Sequence, residues 1–160
     1  MISNERDNGT YDIKALALEG LLTSGAVTAT MAIARRAGFT KMRFADILGT
    51  LFGPRSSATR ALGWVLFFGN GIALTRFYRH VLDRVPRVHR LRVGVLLGGV
   101  HGAVAAIGAA GLLPFHPRAH ARGVLGRRKT PRRSTLVALA AAHVVFGAAV
   151  GLSARRQRSA

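Results

Sequence analysis

Cysteine is absent from the 160 residues, which excludes disulfides, thiolate metal sites and a cysteine nucleophile. Acids are nearly as scarce. Asp and Glu total six, four of them before residue 20, and so small a supply leaves little for general acid and base work. No HExxH, phosphate-binding glycine loop, paired-carboxylate site or nucleophile motif occurs either. The chain is therefore not expected to be an enzyme, and no cofactor or metal is implied. The opening MISNERDNGTYDIK mixes acids with bases and has no small-residue cleavage site after a short apolar core, so the first apolar segment is expected to be retained.

Positive charge is what the chain has in excess: 24 Lys and Arg against those six acids, a formal net charge of +18. A nucleic-acid binder could carry such an excess, because cations neutralise phosphates. That reading requires basic residues along one face of amphipathic helices, and here whole segments lack them. The cations fall into five groups: Arg6 and Lys14; six from Arg35 to Arg60; six from Arg76 to Arg92; seven from Arg118 to Arg133; and Arg155, Arg156 and Arg158. Anionic lipid headgroups are the alternative partner, each juxtamembrane Lys or Arg contributing about 1 kcal/mol. A bilayer with anionic headgroups is expected, and nucleic acid is not.

Between the cationic groups lie long apolar runs. Val93 to Phe115, VGVLLGGVHGAVAAIGAAGLLPF, is 23 residues without Asp, Glu, Lys or Arg. A hydrocarbon core about 30 Å thick needs about 20 apolar residues at about 1.5 Å each, so this segment is long enough to cross. Three similar stretches give predicted spans over about 13–34, 58–78, 93–115 and 134–154, with Asp12 and Ser56 or Ser57 as helix caps. Between the first two, Phe44, Ile47, Leu48, Leu51 and Phe52 recur at i, i+3, i+4, i+7 and i+8. That spacing predicts a short helix over about 42–52, lying at the membrane interface or capping the bundle. Trp64 and Tyr78 stand near the two ends of the second span, where amphipathic rings prefer the headgroup level. The charged continuation from Arg79 to Arg92 is expected to run out into water until Val85-Pro86 ends the helix. The expected fold is all-α, a four-helix transmembrane bundle (13–154) between a polar N-terminal tail (1–12) and a basic C-terminal tail (155–160).

Ionisable and strongly polar groups inside a membrane are costly, which makes Glu19, Asn70, His101 and His143 the candidate functional residues. With the third and fourth spans antiparallel, His101 and His143 stand about three residues apart in depth, roughly 6 Å. Such a pair could share a proton, a metal or a haem iron. The plainer alternative gives each histidine, and Asn70, one hydrogen bond to a neighbouring helix. Gly94, Gly98 and Gly102 form a ridge on the third span, and Gly147 and Gly151 a second on the fourth; small residues let membrane helices approach closely, within one chain or between copies.

The string from His143 to Gly151, HVVFGAAVG, resembles the H-x-x-[YF]-G-x-x-x-G pattern in the last helix of small four-helix bacterial membrane proteins of uncharacterised function. The corner from Leu113 to Arg118, LPFHPR, is similar to the His-Pro-Arg corner after their third helix. Asp46-Ile47-Leu48-Gly49 resembles their segment between the first two helices, and Gly63-Trp64, Asn70-Gly71 and Tyr78 their second helix. One departure is that Phe67 stands where that helix often carries a histidine, which argues against histidine-pair chemistry between the second and fourth helices. The resemblance implies location in the bacterial cytoplasmic (inner) membrane and a multi-pass architecture, with no activity attached.

Three functions remain open at this level. One is a structural or accessory protein acting through helix contacts, with a homo-oligomer or a membrane protein as partner. Another is a small carrier or channel using Thr23, Thr28, Asn70, His101 and His143. The third is a haem or metal protein using His101 and His143. Orientation stays open too, because the two faces carry eleven and thirteen cations.

Overall fold

The computed structural model describes residues 12–116, 124–125 and 131–156; 82% of these are helical, and no strand occurs among them. The described residues hold five α-helices: α1 (Ile13–Arg36), α2 (Phe44–Gly49), α3 (Ser57–Leu82), α4 (Arg90–Leu112) and α5 (Arg133–Arg156). Short 3-10 turns, Arg87–His89 and Leu113–Phe115, flank α4. The polar tail expected before residue 13 falls, apart from Asp12, outside the described residues, and so do the last four positions of the basic tail.

Local chemistry sets the helix ends. The Asp12 carboxylate accepts the Lys14 N–H at 2.9 Å and caps α1. At its other end Gly38 takes φ 76°, and the Gly38 and Phe39 N–H groups donate to the Arg35 and Ala34 carbonyls. This left-handed glycine closure satisfies carbonyls that the last turn would otherwise leave open. Ser56 and Thr59 form a reciprocal capping box at the start of α3, with bonds of 3.1 and 2.9 Å.

Three segments, α1, Arg87–Phe115 with α4 at its centre, and α5, are long and apolar enough to cross a membrane. The second expected span is different. Its helix, α3, has 26 residues, but Arg60, Arg76, Arg79 and His80 lie within it and the charge-free stretch between Ala61 and Thr75 covers only about 22 Å. By hydropathy α3 therefore falls short of the four-span expectation, although its length is sufficient.

The helix expected over 42–52 is also shorter, six residues ending at Gly49, after which Leu51 and Phe52 continue in i to i+3 turns. Ala45, Asp46, Ile47 and Gly49 are buried where α2 packs on α3, while Leu51 and Phe52 of the expected apolar side are exposed. Contact there is backbone to backbone. A Cβ on Gly49 would stand 2.8 Å from the Thr59 carbonyl carbon, and one on Gly63 would stand 2.7 Å from that of Ala45.

Helices α1 and α3 pack side by side, α5 lies against α1, and α4 lies along α5 in the most extensive contact of the molecule. The apolar core runs between them through Val27, Met31, Leu82, Ala142, Phe146 and Val150. At the end formed by α2 and the start of α5, the Thr40 and Thr135 hydroxyls meet at 3.1 Å, and His116 Nε2 donates to the Ile47 carbonyl at 3.0 Å. Val124 and Leu125 are buried in the same cluster.

Candidate functional site

Antiparallel packing of α1 on α3 depends on thin faces. A Cβ on Gly20 would stand 2.6 Å from the Ile72 Cα, and Gly71 packs directly on Ser24. This closeness brings the Thr23 and Thr75 hydroxyls to 3.3 Å, each also within 2.9 Å of a carbonyl of its own helix, so that one donates across the pair while the other donates to its own carbonyl. One turn further along, the same register sets Glu19 opposite Arg79.

Arg79 Nε lies 3.1 and 3.0 Å from the two Glu19 oxygens, and one terminal nitrogen lies 2.9 Å from Oε2. The same nitrogen reaches Ser153 Oγ on α5 at 3.4 Å. Arg79 is 2% exposed and Glu19 8%, so the pair is withdrawn into the bundle. The expectation that the chain runs into water from Arg79 is corrected here: a buried guanidinium is tolerated because a carboxylate neutralises it through charge-assisted bonds. A sequence signal existed. Gly71, Thr75 and Arg79 follow at i, i+4 and i+8 along one ridge of α3.

A second polar group lies one residue away. Tyr78, expected at a headgroup interface, is instead 2% exposed, with its ring edge-on to Phe146 at 5.3 Å and its hydroxyl 3.2 Å from His101 Nδ1. His101 and His143 meet edge to face, ring centroids 4.5 Å apart. His143 Nδ1 lies 2.8 Å from the Leu139 carbonyl, and since a carbonyl only accepts, this nitrogen carries the proton, which makes Nε2 of the neutral ring an acceptor. Rings in direct edge-to-face contact leave no space for a macrocycle between them.

Of the four polar candidates, Glu19 joins Arg79, and His101 joins His143 through α4 and α5. Asn70 joins neither. It is exposed on α3, whereas its neighbour Gly71 is buried, so the interhelical hydrogen bond expected of it is not made inside the bundle. Thr28 bonds the Ser24 carbonyl of its own helix at 3.0 Å. The residues named for a carrier thus do not line one passage. A groove of about 530 Å³ does open between α1 and α5, lined by Leu18, Leu22 and Leu152 together with Glu19 and Ser153.

All five candidate packing glycines lie in the contact between α4 and α5 and are buried. A Cβ on Gly98 would stand 2.9 Å from the Val144 Cα, and one on Gly94 3.0 Å from the Gly151 Cα. The two ridges therefore occupy one another within a single chain. Among the described residues no group of three His, Asp or Glu side chains is arranged to hold a metal ion, and every buried side-chain nitrogen and oxygen has a partner.

No family model, curated protein or solved structure matches the chain.

Proposed function

We propose that this chain is a multi-pass protein of the bacterial cytoplasmic membrane in which all four long helices cross the bilayer, and that it serves as a structural or accessory component acting through helix contacts. The observation that carries this is the buried Glu19–Arg79 pair. Hydropathy treats each charge separately, but inside lipid a paired carboxylate and guanidinium behave as a neutral unit, and charged residues in spans characteristically pair in this way. Pairing takes Arg79 out of that count, and Arg76, at an exposed position near the end of α3, is placed to snorkel toward the interface. At about 39 Å the helix has the length to cross.

An accessory role is favoured over transport by where the polar groups spend their bonding capacity. Glu19, Thr23, Thr75, Tyr78, Arg79 and His101 bond one another across helices, which specifies a packing arrangement. The large apolar side chains left outside, among them Leu96, Val100, Val104 and Ile107 on α4, suit contact with lipid or with another membrane protein.

Because the chain contains no cysteine, single cysteines report topology without background. Lys41→Cys and Val88→Cys, both at exposed positions on either side of α3, are expected to react with a membrane-impermeant maleimide from opposite faces of sealed vesicles. Labelling of both from the same face would overturn the four-span reading.

A further inference from the structure

Where the last turn of α1, the start of α2 and the start of α3 meet, a pocket of about 160 Å³ is lined by Arg35, Arg43 and Arg60 together with Phe44, Phe67 and Trp64. One carboxylate also faces it, Asp46, whose Oδ1 lies 3.6 Å from Arg60 Nε. Three guanidiniums against one carboxylate leave an excess of two positive charges. Arg35 and Arg43 lie near enough to repel each other, and Arg35 uses one terminal nitrogen on the Met42 carbonyl at 3.3 Å. A guanidinium has five N–H donors, so the cluster retains donors in the fork geometry that suits phosphate.

The other wall is aromatic. Phe44 and Phe67 stack at 5.4 Å, and Trp64 stands edge-on to Phe67 at 5.9 Å. A cationic rim next to an apolar wall calls for a molecule with a negative head and an apolar body, and in a membrane helix the combination of Arg and Trp marks the headgroup level. We infer that this pocket seats the headgroup of an anionic phospholipid, its phosphate among Arg35, Arg43 and Arg60 and its upper chain along Phe44, Phe67 and Trp64. The inference rests on the membrane reading above and adds to it a defined lipid site.

Trp64 is the chain's one tryptophan, so its fluorescence reports this pocket alone. The experiment reconstitutes the full chain into phosphatidylcholine vesicles containing, at equal mole fraction, chain-brominated phosphatidylglycerol or chain-brominated phosphatidylcholine. Flotation of the vesicles is recorded in parallel. The anionic lipid is expected to quench Trp64 about threefold more than the zwitterionic one. Arg43→Gln with Arg60→Gln, both at exposed positions, should abolish the preference, and Arg92→Gln in the first turn of α4 should leave it intact. A chain that floats yet shows no preference, or a preference that survives the double variant, overturns the lipid site alone. Loss of the preference on adding inorganic phosphate assigns the pocket to soluble phosphate and overturns it equally. A chain that does not float overturns the membrane reading and this site together.

Discussion

Arg79 and Glu19, sixty residues apart in sequence, are joined across α3 and α1 by three nitrogen–oxygen contacts of 2.9–3.1 Å in a setting where each is under one-tenth exposed. Breaking such a pair leaves an uncompensated charge inside, whereas replacing both members with apolar groups of similar size removes the desolvation cost as well. Glu19→Leu and Arg79→Leu are each expected to lower stability by about 3–5 kcal/mol, and the double variant to recover most of that loss. Thermal unfolding of the four proteins in one detergent forms the cycle. Additive losses in the double variant would mean that the two side chains are not coupled.

Contact between α4 and α5 is limited by backbone, which has no rotamer with which to yield. Gly98→Ala places a methyl group 2.9 Å from the Val144 Cα and is expected to cost about 1–3 kcal/mol. At its neighbour Gly99 a methyl group would meet nothing within 4 Å, so Gly99→Ala should be neutral or raise stability by up to about 1 kcal/mol through helix preference. Unfolding temperatures of the two variants decide this, and equal losses would contradict the packing.

Tyr78→Phe keeps the ring against Phe146 and deletes the hydroxyl 3.2 Å from His101. An ordinary hydrogen bond contributes about 0.5–1.5 kcal/mol, and a loss of that size is expected. In the His101→Phe background the same substitution should cost less, because the partner is already gone. Denaturation of both pairs measures the coupling between them.

At the end of α1, Gly38→Ala meets open space but forces an L side chain into φ 76°. The expected cost is about 1 kcal/mol, set by backbone strain with no clash involved. Ala37→Gly, one residue earlier in an ordinary conformation, serves as the comparison in the same unfolding assay.

The residues around Arg79 mark where reading along the chain stops being informative. Seen in one dimension, RHVLDRVPRVHRLR is a run of charge, and a run of charge belongs in water. Its first residue is nevertheless almost fully buried, since the carboxylate that neutralises it stands on another helix. Tyr78 misleads in the same way, its amphipathic ring suiting a headgroup layer equally well as a histidine on α4. The two glycine ridges, by contrast, follow from spacing alone, whereas the choice of Ser56 over Ser57 as the α3 cap was made by the structure.

Sequence by itself determined that this protein is built of helices, where the long ones run, and that its cations stand mainly at their ends. Hydropathy, charge and capping are properties of short stretches, and they act wherever the stretch finally sits. Which polar group meets which was decided only by the tertiary structure. Pairing Glu19 with Arg79, and Tyr78 and His143 with His101, depends on the register and order of packed helices, and those are fixed by backbone contacts between residues far apart in the chain. The same dependence governs the three arginines of the Trp64 pocket, which come from α1, the α1–α2 connection and α3.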